Sequence, residues 1–561
     1  MENRVQWLRL LVGIALTVVL LRVAQLQLIR GSAYRLLAER NRVRLVPEQA
    51  PRGLILDRHG RVLATTQTVF RVALIPQELE DLPSVLAHVG SVVHTPVDGL
   101  QRELERQPAP AFLPVTLVNR VPKDVAFRLE EERWRWPGLL VQADALRHYP
   151  RGSCAAHLLG YVGQPTAEEL PWLKAYGIQP RSLVGRVGLE QWLDAVLRGR
   201  AGGVMIEVNH RSRRVRVIGQ RRPEAGARVV LTIDAQLQST IEQAFGTQPG
   251  AAVVLDPRTG EVLALVSAPA FAPESFATLD TQAIRRILSD PGSPLMNRAT
   301  AAAYQPGSIV KLVTAAAGLE HRLMAPATVI SCAGSTTIGD RVFHCWKRDG
   351  HGPLTMPEAL AHSCNVYFMQ VGRSLGASRL RAALAQAGLA NTTGWPLPER
   401  AGHLPARRLT EGEVALLALG QGEIEVTVVA AAVLVSALAN GGRFVEPWVV
   451  RTVAGRPAGR PILRGQLGWS RETIAAVRAG MVEAVRHPSG TAHRALSPDL
   501  GIAGKTGTAQ THVPGRTHGW FVGFCPVEQP RVAMAIVAEF GGSGGELPAQ
   551  IGRLVCESVG S

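Results

Sequence analysis

The sequence predicts an N-terminal transmembrane helix, a β-rich α+β domain, and a C-terminal α+β domain whose sheet gathers both of its ends. Three observations carry this prediction. Residues 8–29 form the longest apolar stretch of the chain. Residues 30–225 hold short apolar runs, such as 69–75 and 204–208, between Pro and Gly punctuation. The remainder places strand patterns near both its ends and helical patterns between them. At 561 residues the chain exceeds one ordinary domain. The expected divisions are 1–30 for a short stub and anchor, 31–226 for the β-rich domain, and 227–561 for the last.

The anchor is uninterrupted from Leu10 to Leu21 apart from Gly13 and Thr17, and Arg22, Gln25 and Gln27 spoil its second half. A buried amphipathic helix fits the same residues. Its place at the N-terminus, with no clear small-x-small cleavage site after it, favours an uncleaved signal anchor. Arg4 and Arg9 precede the apolar core, whereas Arg22, Arg30, Arg35, Arg40, Arg42 and Arg44 follow it, which by charge alone puts the C-terminal side inside.

Three charged turns punctuate the middle region. Arg52-Gly53 and Asp57-Arg58-His59-Gly60 lie around a hairpin of Leu54-Ile55-Leu56 with Val62-Leu63. Arg147-His148-Tyr149-Pro150 is the second turn, and Gly188-Leu189-Glu190 with Leu197-Arg198-Gly199 the third. An arginine-dense hairpin at 211–222 closes the region, its charges solvated. In the last domain, 229–233 reads as a strand and 235–245 as a helix. A hairpin then turns through Asp256-Pro257-Arg258-Thr259-Gly260, a buried helix covers 308–321, and strands cover 519–524 and 532–539.

Hydrophobic residues at 46% and charged residues at 19% supply a large core and exclude disorder. A formal charge of +16 suits nucleic acid, an anionic membrane surface or an acidic polymer. No zinc finger, RNA-binding signature or basic–aromatic cluster supports nucleic acid as a partner.

Chemistry concentrates after Pro306-Gly307. Ser308 stands at a helix start with Lys311 three residues on and on the same face, so the amine can come within hydrogen-bond reach of the hydroxyl. The helix N-terminus adds peptide N–H groups useful to a developing oxyanion. Alone, Ser-x-x-Lys also fits a capping serine beside a solvated lysine. Lysine usage separates the two readings. Among 61 basic residues only Lys123, Lys174, Lys311, Lys347 and Lys505 are lysines, and a lysine amine can shed its proton where a guanidinium cannot. Two of these five fall in Ser308-x-x-Lys311 and in Lys505-Thr506-Gly507. Between them lies Ser363-Cys364-Asn365, whose first and third side chains project together from an extended loop.

These three motifs, in this order, resemble those of the penicillin-recognising acyl-serine enzymes, the superfamily of penicillin-binding proteins and serine β-lactamases. The three charged turns, in order, are similar to those that join the non-catalytic pedestal to the transpeptidase domain in class B penicillin-binding proteins. Trp346-Lys347-Arg348-Asp349-Gly350-His351-Gly352 and the run Ser363-Cys364-Asn365-Val366-Tyr367-Phe368 look like the elongation type rather than the division type. Glu274-Ser275 departs from a common asparagine, and Val428 after Thr427 from a common proline; neither touches the three motifs. No repeat follows residue 545, so no appended wall-binding module is expected.

The resemblance implies a five-stranded antiparallel sheet flanked by helices and a D,D-transpeptidase that cross-links peptidoglycan stem peptides. In that scheme Lys311, its ammonium destabilised by burial and by Lys505, takes the proton of Ser308, and Ser308 attacks the penultimate D-Ala carbonyl. Ser363 and Asn365 relay the proton and hold the substrate amide. Lys505, Thr506 and Thr508 of the Lys505-Thr506-Gly507-Thr508 stretch receive the terminal carboxylate, and the peptide N–H groups of Ser308 and Thr508 form the oxyanion hole. No cofactor is needed for this chemistry. β-Lactams are implied ligands, a glycan polymerase of the SEDS family and other elongation-complex proteins implied partners. The resemblance also overrides the flanking charges: the N-terminus lies in the cytoplasm and the bulk of the chain outside the cytoplasmic membrane.

Four other readings remain open. A β-lactamase needs a carboxylate to activate water; Glu399 is the candidate, though His403 stands where an asparagine would follow. An antibiotic sensor needs several membrane spans. A division-type transpeptidase and a non-enzymatic activator of a glycan polymerase are the others. Finally, Cys332-x12-Cys345-x5-His351-x12-Cys364 supplies a Cys3His set suited to structural zinc. A Cys332–Cys345 disulfide or three unconnected buried thiols are its rivals.

Overall fold

The computed structural model describes residues 2–32, 43–107, 114–170, 183–209, 214–511 and 513–560. Arg35, Arg40, Arg42, Lys174, Arg211 and Arg213 fall outside these residues. The chain divides into two compact units: Met1–Arg52 with Thr66–Leu146 and Arg198–Gly226, and Gly53–Thr65 with Arg147–Leu197 and Ala227–Ser561. The chain passes from one unit to the other at 52/53, 65/66, 146/147, 197/198 and 226/227. The charged turns account for this, since nearly all of their residues cluster with the C-terminal unit.

In the first unit, Glu2–Ala24 is α-helical and Gln25–Ile29 continues it with wider π-type turns. The 21-residue span Arg9–Ile29 has a mean hydropathy of 2.0 and none of it is buried. At the α-helical rise it is roughly 30 Å long, the thickness of a hydrocarbon core. Val43–Glu48, Gly202–Val208 and Arg214–Arg221 pair antiparallel in one sheet. Residues 70–74 pair antiparallel with Val115–Val121. Helices Leu82–Val93, Val97–Glu105 and Lys123–Glu131 bury Val85, Val89, Leu100 and Leu129 in one core with Val72, Leu74 and Leu117. The sequence reading had only the β-rich character of this region. These helices are short, and a few apolar positions each are too few to announce them among Pro and Gly residues.

The second unit is built on a five-stranded sheet in the order Val262–Ala268, Gly250–Leu255, Val532–Ala538, Thr517–Cys525, Ala503–Gln510, with every neighbouring pair antiparallel. Both faces are covered. Ala252, Val254, Ala264, Val266, Met534 and Ile536 alternate along their strands and share a core with Ile241, Phe245, Ile551 and Val555 of helices Ala235–Phe245 and Leu547–Gly560. Helix Val428–Ala439 packs against three of the same strands, and all twelve of its residues are buried. A helix apolar all round must lie inside a fold. The C-terminal helix Leu547–Gly560 was not read from the sequence; Cys556 within it forms a disulfide with Cys525 at the end of a strand.

The charged turns meet inside this unit. Arg147 Nε donates to Glu190 Oε1 at 2.6 Å, and its Nη1 donates to the Gly53 carbonyl at 2.6 Å. The side chains of Arg147 and Glu190 are 1% and 0% exposed. Glu274, the departure noted above, accepts from the Tyr149 peptide N–H at 3.3 Å and lies 2.9 Å from His148 Nδ1. Arg147→Ala strands the Glu190 charge in the interior and is expected to cost about 3–5 kcal/mol. Chemical denaturation of the purified protein reads this as a lower midpoint. An Arg147→Met, Glu190→Leu double variant is expected to recover most of the loss.

Candidate active site

Each motif residue owes its position to local structure. Pro306 and Gly307 lead into a 3-10 turn, Gly307–Ile309, and the α-helix starts only at Lys311 and runs to Glu320. The expected single helix from Ser308 is thus two segments, and Ser308 lies in the tight turn, partly exposed. Gly307 has φ +55, and a Cβ there would lie 2.9 Å from the Thr508 carbonyl oxygen. A Cβ on Gly507 would lie 2.7 Å from the Pro306 carbonyl. Only glycine lets the Ser308 turn and strand Ala503–Gln510 approach this closely. Trp520 on the neighbouring strand fixes the turn from below, its Nε1 donating to the Gln305 carbonyl at 3.0 Å.

Ser363 is not in an extended loop. Its φ is +51, a left-handed conformation costly for a residue with a Cβ and concentrated at functional sites. Cys364 is the N-cap of helix Asn365–Gln386. The turn still sends Ser363 and Asn365 to one target. Lys311 Nζ donates to Ser363 O at 2.8 Å, Ser363 Oγ at 3.2 Å and Asn365 Oδ1 at 2.7 Å. Lys505 Nζ donates to the same Ser363 Oγ at 3.0 Å and to Thr506 O at 2.9 Å. Ser363 Oγ therefore sits between two amines. The direct Ser308–Lys311 hydrogen bond suggested by the spacing is not formed among the described residues, because Lys311 commits its three donors to the second motif.

Both lysines are fully buried. Burial pulls Lys311 down to about 8, against the opposing pull of Cys364 and Cys345. Burial also pushes Lys505 well below the lysine range, and the charge of Lys311 adds to that push. The repulsion between the pair thus weighs on Lys505, whereas the sequence reading placed it on Lys311. Asn365 Oδ1 is taken by Lys311, which leaves its amide N–H groups for a ligand carbonyl.

The motifs open on a cleft of about 540 Å³ that Ser308, Ser363, Asn365, Thr506 and Thr508 line. No carboxylate is among the described residues lining it. Glu399, the candidate water activator, accepts instead from the Thr393 peptide N–H at 3.0 and 2.9 Å and does not line the cleft. Sequence reasoning missed the wall facing the polar strand, to which Phe343, Trp346, Met369, Leu416 and Leu419 contribute. Only Trp346 had been singled out, and only as part of a resemblance.

Behind the second motif, Cys332, Cys345, His351 and Cys364 converge, with their ligand atoms all within 4.8 Å of one another. Strand Ile330–Cys332 pairs with Gly352–Leu354, which sets Cys332 beside His351. The hairpin of Ser335–Ile338 with Arg341–His344 returns the chain to Cys345. Cys345 Sγ lies 3.6 Å from His351 Nδ1 and accepts from the Asn365 peptide N–H at 3.4 Å. A hydrogen bond from the Cys364 thiol holds Cys345 down at about 4 and pushes Cys364 up. All three thiols are free, so the Cys332–Cys345 disulfide is not formed.

The chain is similar to known proteins over most of its length. Residues 250–557 match the family model of the penicillin-binding protein transpeptidase domain, and residues 47–231 that of the penicillin-binding protein dimerisation domain. The chain is 31% identical to the peptidoglycan D,D-transpeptidase MrdA of Acinetobacter baumannii, over 97% of this chain and 85% of that protein. It is 30% identical to MrdA of Escherichia coli K12, over 94% of this chain and 89% of that protein. Among solved structures it is similar to PBP2 of Helicobacter pylori in complex with MreC, with a TM-score of 0.79, 26% identity, and coverage of 92% of this chain and 99% of that one. It is also similar to a chain of a peptidoglycan synthase complex that coordinates polymerisation and crosslinking, with a TM-score of 0.75, 30% identity, and coverage of 99% and 98%.

If Lys311 must be neutral to accept a proton, acylation of Ser308 by a penicillin is expected to rise with pH until Lys311 is deprotonated at about 8. Below that value it should fall about tenfold per pH unit. Lys311→Arg, which cannot deprotonate, is expected to abolish acylation, while Lys505→Arg keeps a fixed charge and part of the rate. Stopped-flow acylation across pH measures all three proteins; near-normal rates in both variants would contradict these roles.

Proposed function

The chain belongs to the penicillin-binding protein transpeptidase family, and from that premise we propose that it cross-links peptidoglycan stem peptides during cell-wall elongation through an acyl-enzyme on Ser308. The observation that carries this is the meeting of two buried lysines on Ser363 Oγ beside Ser308 in one cleft. Lys311 takes the Ser308 proton, and Ser308 Oγ attacks the penultimate D-Ala carbonyl and expels the terminal D-Ala. The peptide N–H groups of Ser308 and Thr508 receive the oxyanion. Ser363 relays protons, Asn365 donates to the substrate amide, and Lys505, Thr506 and Thr508 bind the terminal carboxylate beside Gly507. A neighbouring stem-peptide amine resolves the acyl-enzyme; water in its place gives a D,D-carboxypeptidase side reaction.

The absence of a lining carboxylate disfavours a β-lactamase, which must activate water. Fully buried lysines disfavour a purely structural activator, since a scaffold gains nothing from two desolvated amines. MrdA homology over nearly the whole chain favours the elongation type over the division type. A glycan polymerase of the SEDS family and further elongation-complex proteins are the partners in this reading, as the complexes of similar proteins suggest. The apolar span Arg9–Ile29 anchors the chain, with its N-terminus in the cytoplasm. The Cys525–Cys556 disulfide supports an outside location for the catalytic unit, because disulfides persist in oxidising compartments. An impermeant fluorescent penicillin added to spheroplasts is expected to label the wild-type protein and leave Ser308→Ala unlabelled. Labelling that survives in the variant would refute the nucleophile, and wild-type labelling only after lysis would refute the topology.

We also propose that Cys332, Cys345, His351 and Cys364 hold a structural zinc ion. The donor set fits: three sulfurs and an imidazole are a tetrahedral zinc combination, and the four ligand atoms already lie within 4.8 Å of one another. His351 Nε2 is buried without a hydrogen-bond partner in the protein. Three adjacent thiols are free in a chain that forms a disulfide elsewhere, which is what metal protection accomplishes. The metal would tie the hairpin to Ser363 and Asn365 and take no part in the acyl transfer. Elemental analysis of the purified protein is expected to give about one zinc per chain, with three thiols reactive only after chelation. Substoichiometric metal with two of these thiols oxidised would establish the disulfide instead.

A further inference from the structure

Resting on the transpeptidase reading, we infer that Trp346 and Phe343 form the acceptor side of the cleft, where the aliphatic side chain bearing the attacking amine of the second stem peptide is seated. Trp346 is 57% exposed, yet it is held firmly. Its Nε1 donates to the His362 carbonyl at 3.0 Å, one residue before Ser363. Its ring meets that of His351 edge-on, with centroids 5.3 Å apart. A large aromatic kept in water by such fixings is a contact surface rather than core. It lines the same cleft as Ser308, and Met369, Leu416 and Leu419 extend the apolar wall.

The opposite wall is polar, with Thr506, Thr508, Gln510 and Thr517 along the paired strands. The acyl donor uses that side, because its carboxylate requires the Lys505 motif. The terminal carboxylate makes no call on the apolar wall. A transferase needs such a second surface and a hydrolase does not: it must hold an amine over the acyl-enzyme and keep water away. The amine must also arrive neutral. A cleft whose lining has no carboxylate, above two buried amines, disfavours an ammonium and so favours the reactive form. The acceptor's methylene chain then packs on the Trp346 face. Its nitrogen attacks the Ser308 ester carbonyl, the new C–N bond forms, the C–Oγ bond to Ser308 breaks, and the amine proton returns to Ser308 Oγ through Lys311.

The test uses the full-length protein in detergent with a depsipeptide or thioester donor and two acceptors, a long-chain diamino acid and glycine. Trp346→Ala is expected to keep penicillin acylation within about threefold of wild type. It should lower the ratio of aminolysis to hydrolysis about tenfold for the long-chain acceptor, the scale of losing one or two methylene contacts. For glycine the ratio should change little, because glycine has no methylene chain to lose. Trp346→Phe, which keeps the ring and loses the N–H, should recover most of the effect as a lowered KM for the long-chain acceptor. Parallel loss of penicillin acylation would overturn the assignment by making the wall a donor or structural element, and so would an unchanged ratio. Wild-type acylation is the separate gauge of the Ser308 reading: were it absent, that reading would fail first and this inference with it.

Discussion

Two lysine amines, both fully buried, share one serine hydroxyl, and most of the catalytic unit can be understood as what is needed to hold them there. At hydrogen-bond distance from a common oxygen, two ammoniums repel by roughly 3 kcal/mol at an effective dielectric of about 20. Desolvation adds to that cost. The pair therefore favours carrying one proton between them, and a site in that condition can accept a second proton from a nearby hydroxyl. Arginine could bear the charge but not the exchange, which explains why a chain so sparing of lysine keeps two here.

Holding such a pair requires rigid surroundings. Lys505 is fixed by a strand paired along its whole length, from Ala503 opposite Phe524 to Gln510 opposite Thr517. Lys311 is fixed by a helix whose first eight residues are buried. Ser363, the shared acceptor, has a left-handed φ that the preceding helix, Met356–Ala361, holds in place. Its own N–H donates to Leu360 O, and the next N–H, of Cys364, donates to Ala359 O. The unfavourable conformation is local, and these bonds to the preceding helix supply the compensation.

How legible this was depended on whether chemistry or packing fixed the residue. The three motifs could be read because acyl transfer requires particular side chains at short spacings. The hairpin of Gly250–Leu255 with Val262–Ala268 could be read because a Pro-Gly turn separates two apolar runs, and helix Ala235–Phe245 matched to the residue. The Cys525–Cys556 pair was not legible: it is 31 residues apart, and six cysteines leave many pairings. Leu416 and Leu419 carry no signal that they face a cleft rather than a core. The 3-10 turn at Ser308 was masked by a continuous apolar run that reads as helix. The domain divisions were obscured for another reason: Arg147, Glu190 and Gly53 are far apart in sequence and meet only in the fold.

The cysteine cluster bears directly on Lys311. Cys345 and Cys364 act on Lys311 in the direction that retains its proton, while burial acts to remove it. The geometry makes that coupling unavoidable. Cys364 separates Ser363 from Asn365, both of which accept from Lys311, and the Asn365 peptide N–H donates to Cys345 Sγ. Negative charge on Cys345 therefore lies just behind the acceptors of Lys311. Any change in the sulfurs' charge, by protonation or ligation, alters the proton affinity of Lys311 across a single turn of chain. The same turn carries Trp346 through its bond to the His362 carbonyl. One short segment, 362–365, thus carries both the acceptors of the two buried lysines and the carbonyl that holds Trp346.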